Sequence, residues 1–192
     1  MTDKRIIKTE RDIKQAVLIL LKTTPFQKIS ISQICDQALV SRSTFYEHFQ
    51  DKYDLLGQLV KQYTLLFQGL VKERATQIIK QETHVLSISK IASTLQDHRE
   101  ALNVLLAVHE DNLDLLTNWE RCLGETWQRV NQRYGADQQA PESFVSNLES
   151  AIVLNYIRWS LQNGMSEEAS ALSEKMIRSI YGGDLDTYPN AK

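Results

Sequence analysis

At 192 residues the chain can form one domain, or a small head joined to a larger body, and it can bury a real hydrophobic core. Only 7 Gly and 3 Pro interrupt it, which favours long helices, and no run alternates as a strand would. A net charge of −2 excludes a polycation, yet Met1 to Asp54 carries nine Lys and Arg against seven Asp and Glu. A mildly positive end on an acidic remainder suits a protein that touches phosphates with one end only.

The first helix is expected to start at Thr9, with its hydroxyl as cap and Asp12 as the acidic partner of a capping-box variant. Ile13, Ala16, Val17, Leu20 and Leu21 recur at helical spacing and mark its buried face. The helix stops at Lys22-Thr23-Thr24-Pro25, because the residue before proline is pushed out of helical geometry. A short second helix follows with Ser30 or Ser32 as cap, then the turn Leu39-Val40-Ser41. A third helix runs from Arg42 to Phe49 with Ser41 as cap. A fourth opens near Asp51 and continues through Leu55, Leu59, Tyr63, Phe67 and Val71, long enough to join head to body.

Beyond Thr83 the pattern stays helical, with one stripe at Val85, Ile88, Ile91, Ala92 and Leu95 and another at Leu102, Leu105, Leu106 and Val108. A longer helix covers roughly Asn112 to Tyr134, and Gly135 to Pro141 reads as a loop, with Pro141 suited to a first helical position. The next helix stops at Asn163-Gly164, and Ser166-Glu167-Glu168 starts a last one that ends at Gly182-Gly183. The expected organisation is all-α: residues 1–54 a helix-turn-helix DNA-binding head, 55–183 a helical ligand-binding and dimerisation body, and 184–192 a polar tail.

The segment Ile29 to Leu56 carries the functional signal. Ile31, Ile34, Ala38, Val40, Phe45 and Phe49 form an inward set, while Arg42, Ser43, Thr44, Tyr46, Glu47 and His48 face out. That outward face is almost all short hydrogen-bonding groups plus one arginine, and it can enter a major groove of about 12 Å width. Ser41, Arg42, Ser43 and Thr44 are candidate DNA contacts, and Tyr46, His48 and Lys52 extend toward flanking phosphates. Arg42 could instead pair with Asp51 or Glu47.

The run Ala38-Leu39-Val40-Ser41-Arg42-Ser43-Thr44-Phe45-Tyr46-Glu47-His48-Phe49, followed by Asp51-Lys52 and Leu55-Leu56, resembles the TetR family of bacterial regulators. Ala16, Phe26 and Ile29-Ser30-Ile31 match the same family upstream. The resemblance covers the first quarter to third of the chain. It departs at Leu39, where the family often has glycine, and a non-glycine residue in a left-handed turn costs on the order of 1 kcal/mol. The resemblance implies a homodimer on a palindromic operator, a small-molecule pocket in the body, a dimer interface from the last two long helices, and repression released by an effector. More loosely, Ile157 to Met165 and the following Ser-Glu-Glu helix resemble a subgroup that includes regulators of dihydroxyacetone kinase operons.

In the body, Trp119, Trp127 and Tyr156 are candidate pocket walls, against ordinary packing as the plainer reading. Phe144, Leu148, Ile152 and Trp159 fall on one helical stripe and Leu172, Met176 and Ile180 on the next. Two such helices could pack against their symmetry mates as a four-helix bundle. The alternative is a body that docks a signal-sensing partner protein.

Cys35 and Cys122 are far apart and in no zinc-ligand spacing, so reduced, buried thiols are expected. His84, His98 and His109 have no metal spacing either, and no phosphate loop or nucleophile elbow occurs, so no metal, cofactor or catalysis is expected. The N-terminal residues lack an apolar signal core and no apolar stretch approaches the ~20 residues of a membrane span, which points to the cytoplasm.

Overall fold

The computed structural model describes residues 4–80, 85–134 and 140–180. Among these every regular element is helical. The helices are α1 (Lys4–Leu21), α2 (Ile31–Ala38), α3 (Arg42–His48), α4 (Lys52–Ile79), α5 (Ile88–Gln96), α6 (Arg99–Leu105), α7 (Leu115–Tyr134), α8 (Glu142–Asn163) and α9 (Glu167–Ser179). A single 3₁₀ turn, Phe26–Lys28, lies between α1 and α2. The described residues divide into two compact units, one within Met1–Tyr63 and Val104–Leu115 and the other within Thr64–Asn103 and Leu116–Lys192.

In the first unit, α1 begins five residues earlier than its expected cap. Thr9 lies inside the helix, and its hydroxyl donates to the carbonyl of Arg5 at 2.9 Å. A threonine bonded back by four residues is compatible with a helix interior, so a hydroxyl alone does not fix a start. Ile13, Ala16 and Val17 bury one face of α1, and Ile34, Phe45, Phe49, Leu55 and Leu56 complete the core. Cys35, absent from the expected inward set, is buried with them, whereas Ile31, Ala38 and Val40 are only half-buried. The non-contiguous segment Val104–Leu115 belongs to this unit too. It approaches α4 where Gly57 leaves room: a Cβ there would stand 3.4 Å from the Leu113 side chain. His109 and Asp114 pair at 2.6 Å across the bend, and Asn112 adopts a left-handed φ of 62° between them.

In the second unit, Phe67 on α4 stacks on Trp119 of α7, with ring centroids 4.2 Å apart. Ile88, Ile91, Ala92 and Leu95 of α5 are all buried, as their spacing required. Arg74, almost wholly buried, reaches Glu174 on α9 with Nη2 to Oε2 at 2.9 Å and also donates to the carbonyl of Leu86. Glu174 in turn accepts the backbone N–H of Ile88 at 2.8 Å, so one ion pair ties α4, α9 and the entry to α5 together. Pro141 is the cap residue of α8 and not its first helical residue. Gly164 ends α8 with a φ of 94°, where an L side chain would be strained, and Ser166 caps α9. Most of the Gly135–Pro141 loop, His84, the Gly182-Gly183 stop and the 184–192 tail lie outside the described residues. No helix among the described residues is long and apolar enough to cross a membrane.

Candidate nucleic-acid interface

The site is assembled from caps. Ser30 closes a capping box with Gln33: its hydroxyl accepts the Gln33 N–H, and the Gln33 side chain accepts the Ser30 N–H at 2.8 Å. This fixes the start of α2 by two reciprocal bonds. Leu39 ends the helix in the left-handed region, at φ 56° and ψ 41°, and the Val40 N–H donates to the Cys35 carbonyl at 3.0 Å. The turn therefore has the geometry that glycine would enter freely, built here with a leucine that is 92% exposed.

Ser41 then caps α3, its Oγ accepting from the Thr44 N–H at 3.0 Å. The hydroxyls of Ser43 and Thr44 stand 2.7 and 2.9 Å from the same oxygen, so three small hydroxyls share the N-terminal turn of α3. Phe45 and Phe49 point into the core at 5.7 Å from each other. Arg42, Ser43, Tyr46 and Glu47 are exposed; Thr44 and His48 are half-buried. Tyr46 lies edge-on against Phe45, which braces the ring while leaving it more than half exposed. Arg42 has no ion-pair partner among the described residues, so the pairing with Asp51 or Glu47 does not form. Asp51 instead caps α4, accepting the N–H groups of Tyr53 and Asp54 at 2.8 Å each.

Lys52 stands apart from the other expected contacts. Its Nζ donates to the carbonyls of Phe26, Gln27 and Ile29 at 3.0, 3.0 and 2.9 Å, and lies over the Phe26 ring at 4.9 Å from its centroid. An ammonium has three protons, and all three are used inside the head. The carbonyls at the end of a 3₁₀ turn need donors, and this lysine supplies them. Spacing placed Lys52 correctly at the start of α4; only the packing of the 3₁₀ turn against that start decided which way the side chain would go.

Both cysteines are free and buried, and burial pushes each thiol above its ordinary value. Among the described residues no group of His, Cys, Asp and Glu could hold a metal ion.

In the second unit the other candidates separate cleanly. Trp119, Trp127 and Tyr156 are buried in its interior. Phe144, Leu148, Trp159, Leu172 and Met176 are exposed, and Ile152 and Ile180 half-buried.

Two short helices joined by a left-handed turn, the second presenting hydroxyls, an arginine and a tyrosine to solvent, form a helix-turn-helix head of the kind carried by transcription regulators. The model of the family described as bacterial regulatory proteins, tetR family, matches residues 15–59, which is the helix-turn-helix head together with the start of α4. An uncharacterised HTH-type transcriptional regulator of Bacillus subtilis, YxbF, is 21% identical over 188 residues, covering 93% of this chain and 46% of that protein. The chain thus spans about half the length of this curated relative. Among solved structures, NalD of Pseudomonas aeruginosa, the secondary repressor of the MexAB-OprM multidrug efflux pump, superposes with a TM-score of 0.66 at 17% identity, over 93% of this chain and 96% of its own. FadR of Bacillus subtilis, solved in complex with stearoyl-CoA, superposes with a TM-score of 0.61 at 18% identity, over 90% and 98% of the two chains. At these identities the likeness shows the fold.

Proposed function

We infer that this protein is a homodimeric, sequence-specific transcriptional regulator that represses at a palindromic operator and is released by a small molecule. The observation that carries the DNA-binding part is the outer face of α3: Ser43, Thr44, Tyr46 and Arg42, which has no ion-pair partner among the described residues, held by a helix whose start is fixed by Ser41. Short hydroxyls let the backbone come close to phosphates and base edges, and the arginine can take a guanine edge or a phosphate. Lys52 holds the 3₁₀ turn in place and leaves phosphate contact to Tyr46, His48 and Arg42.

Dimerisation rests on α8 and α9. The buried face of α8 holds Val145, Val153, Leu154, Tyr156, Ile157 and Leu161, yet Phe144, Leu148 and Trp159 lie exposed on other sides. A helix apolar on more than one side asks for a second partner. Leu172 and Met176 give α9 exposed apolar residues of its own, and an isologous bundle with a second copy would cover both sets. The interior aromatics Trp119, Trp127 and Tyr156 support an effector site in the same unit. The fold relative FadR holds stearoyl-CoA in its own structure, and that supports a ligand-responsive reading of this chain.

Footprinting on the DNA upstream of the protein's own gene tests the reading. Protection of a palindrome, weakening steeply with salt, is expected. Tyr46→Ala should weaken binding about tenfold or more, on the scale of 1–3 kcal/mol for a specific contact, without lowering the unfolding midpoint. Absence of a protected palindrome at modest salt would sink the proposal. Unchanged operator affinity in Tyr46→Ala would remove that residue from the interface.

A further inference from the structure

We propose that the interior of the second unit takes a neutral, carbonyl-bearing apolar molecule, such as a medium-chain ketone, ester or lactone, through the donors Trp119 Nε1, Trp127 Nε1 and Tyr156 OH. This rests on the reading of that unit as the effector-binding part. All three side chains are at most 2% exposed, and none of these three polar atoms has a hydrogen-bond partner among the described residues. Buried polar groups in folded proteins are almost always paired, and two indole donors and one phenol left over in the same unit form an exception that calls for an acceptor. Thr64 Oγ1, Arg74 Nε and Arg178 Nε of the same unit also lack a partner among the described residues; Arg74 differs in kind, because its guanidinium already donates to Glu174 and Leu86.

The chemistry of the ligand follows from the donors. An indole N–H only donates, so the matching group must be an acceptor oxygen. Trp119 and Trp127 are eight residues apart on α7, about 12 Å along its axis, which suits an elongated molecule engaging one donor or both. Phe67 stacks on Trp119, and Leu123, Val130 and Ile157 are buried in the same unit, apolar side chains that suit a hydrocarbon body.

The charge of the ligand follows from burial. The three donors are neutral side chains in an interior, and burying an anion with no cation beside it costs far more than burying a neutral carbonyl. The acceptor is therefore a neutral carbonyl in preference to a carboxylate.

The experiment titrates the full chain with 2-nonanone, n-nonane and nonanoate, followed by tryptophan fluorescence and by calorimetry. The ketone is expected to bind at least tenfold tighter than either the hydrocarbon or the carboxylate. Tyr156→Phe and Trp127→Phe should each weaken the ketone about three- to tenfold and leave nonane unchanged, a readout that general loosening of the core would not give. Equal affinity for nonane and the ketone would overturn the use of these donors, and tightest binding of nonanoate would overturn neutrality. Binding of none of the three probes, by protein that still protects its operator, overturns this inference and leaves the DNA-binding reading standing. Ketone binding without operator protection has the reverse meaning.

Discussion

Replacing Lys52 with methionine keeps the side-chain stem and removes the ammonium, so it isolates what that charge does. In the folded head the charge satisfies the carbonyls of Phe26, Gln27 and Ile29 and lies over the Phe26 ring. A hydrogen bond to a charged group contributes about 1.5–3 kcal/mol, and a partly exposed cation–π contact about 0.5–1 kcal/mol. The Gln27 bond is exposed and water can replace it, whereas those to Phe26 and Ile29 are part-buried. One half-exposed ammonium makes both remaining bonds, so their values are screened by solvent and do not add, and Lys52→Met should cost about 2–3 kcal/mol, read in urea denaturation of the full chain by circular dichroism. Measured at temperatures where the variant remains folded, the salt dependence of operator binding should keep the wild-type slope, because no phosphate contact has been lost. A variant as stable as the wild type whose salt slope falls by about one unit would refute the reasoning and return Lys52 to the phosphates.

Leu39→Gly relieves a left-handed leucine of on the order of 1 kcal/mol but frees the unfolded chain by about 0.4–1 kcal/mol. The expected net is a small stabilisation of about 0.5 kcal/mol, and a loss of more than 1 kcal/mol in denaturant melts would contradict it. Glu174→Ala strands the buried Arg74 and removes the acceptor of the Ile88 N–H, so a loss of about 3–5 kcal/mol is expected in thermal or urea unfolding. Stability within 1 kcal/mol of wild type would show that Arg74 finds water instead. Burial, first among the causes, holds the thiols of Cys35 and Cys122 above the ordinary 9.0. The unfolded chain then releases these protons first, so this contribution to stability is whole below about pH 9 and is lost as pH rises beyond it. A Cys35→Ala, Cys122→Ala variant should show a shallower fall in stability between pH 8.5 and 10.5, and an equal slope would reject the assignment.

Local chemistry was legible residue by residue. The serines at 30, 41 and 166 cap the helices that follow them, and the left-handed turn falls at Leu39. Each of these depends on groups within a few positions of one another, and so does the polar face of α3. The start of α1 escaped because Thr9 has two local uses for its hydroxyl, and the helix took the one that let it run on to Lys4.

The sequence by itself determined an all-helical chain, a helix-turn-helix between Ile31 and His48, and which residues of that motif face in or out at its centre. Hydrophobic period and capping chemistry are short-range, so the order of residues suffices for them. Only the tertiary structure decided that Lys52 turns inward to the 3₁₀ turn, that Val104–Leu115 joins the head, and that Arg74 meets Glu174, 100 positions away. It also parted the body's aromatics into buried Trp119, Trp127 and Tyr156 and exposed Phe144 and Trp159. Periodicity says that a side is apolar, but which apolar side meets the chain's own core depends on the packing of elements distant in sequence.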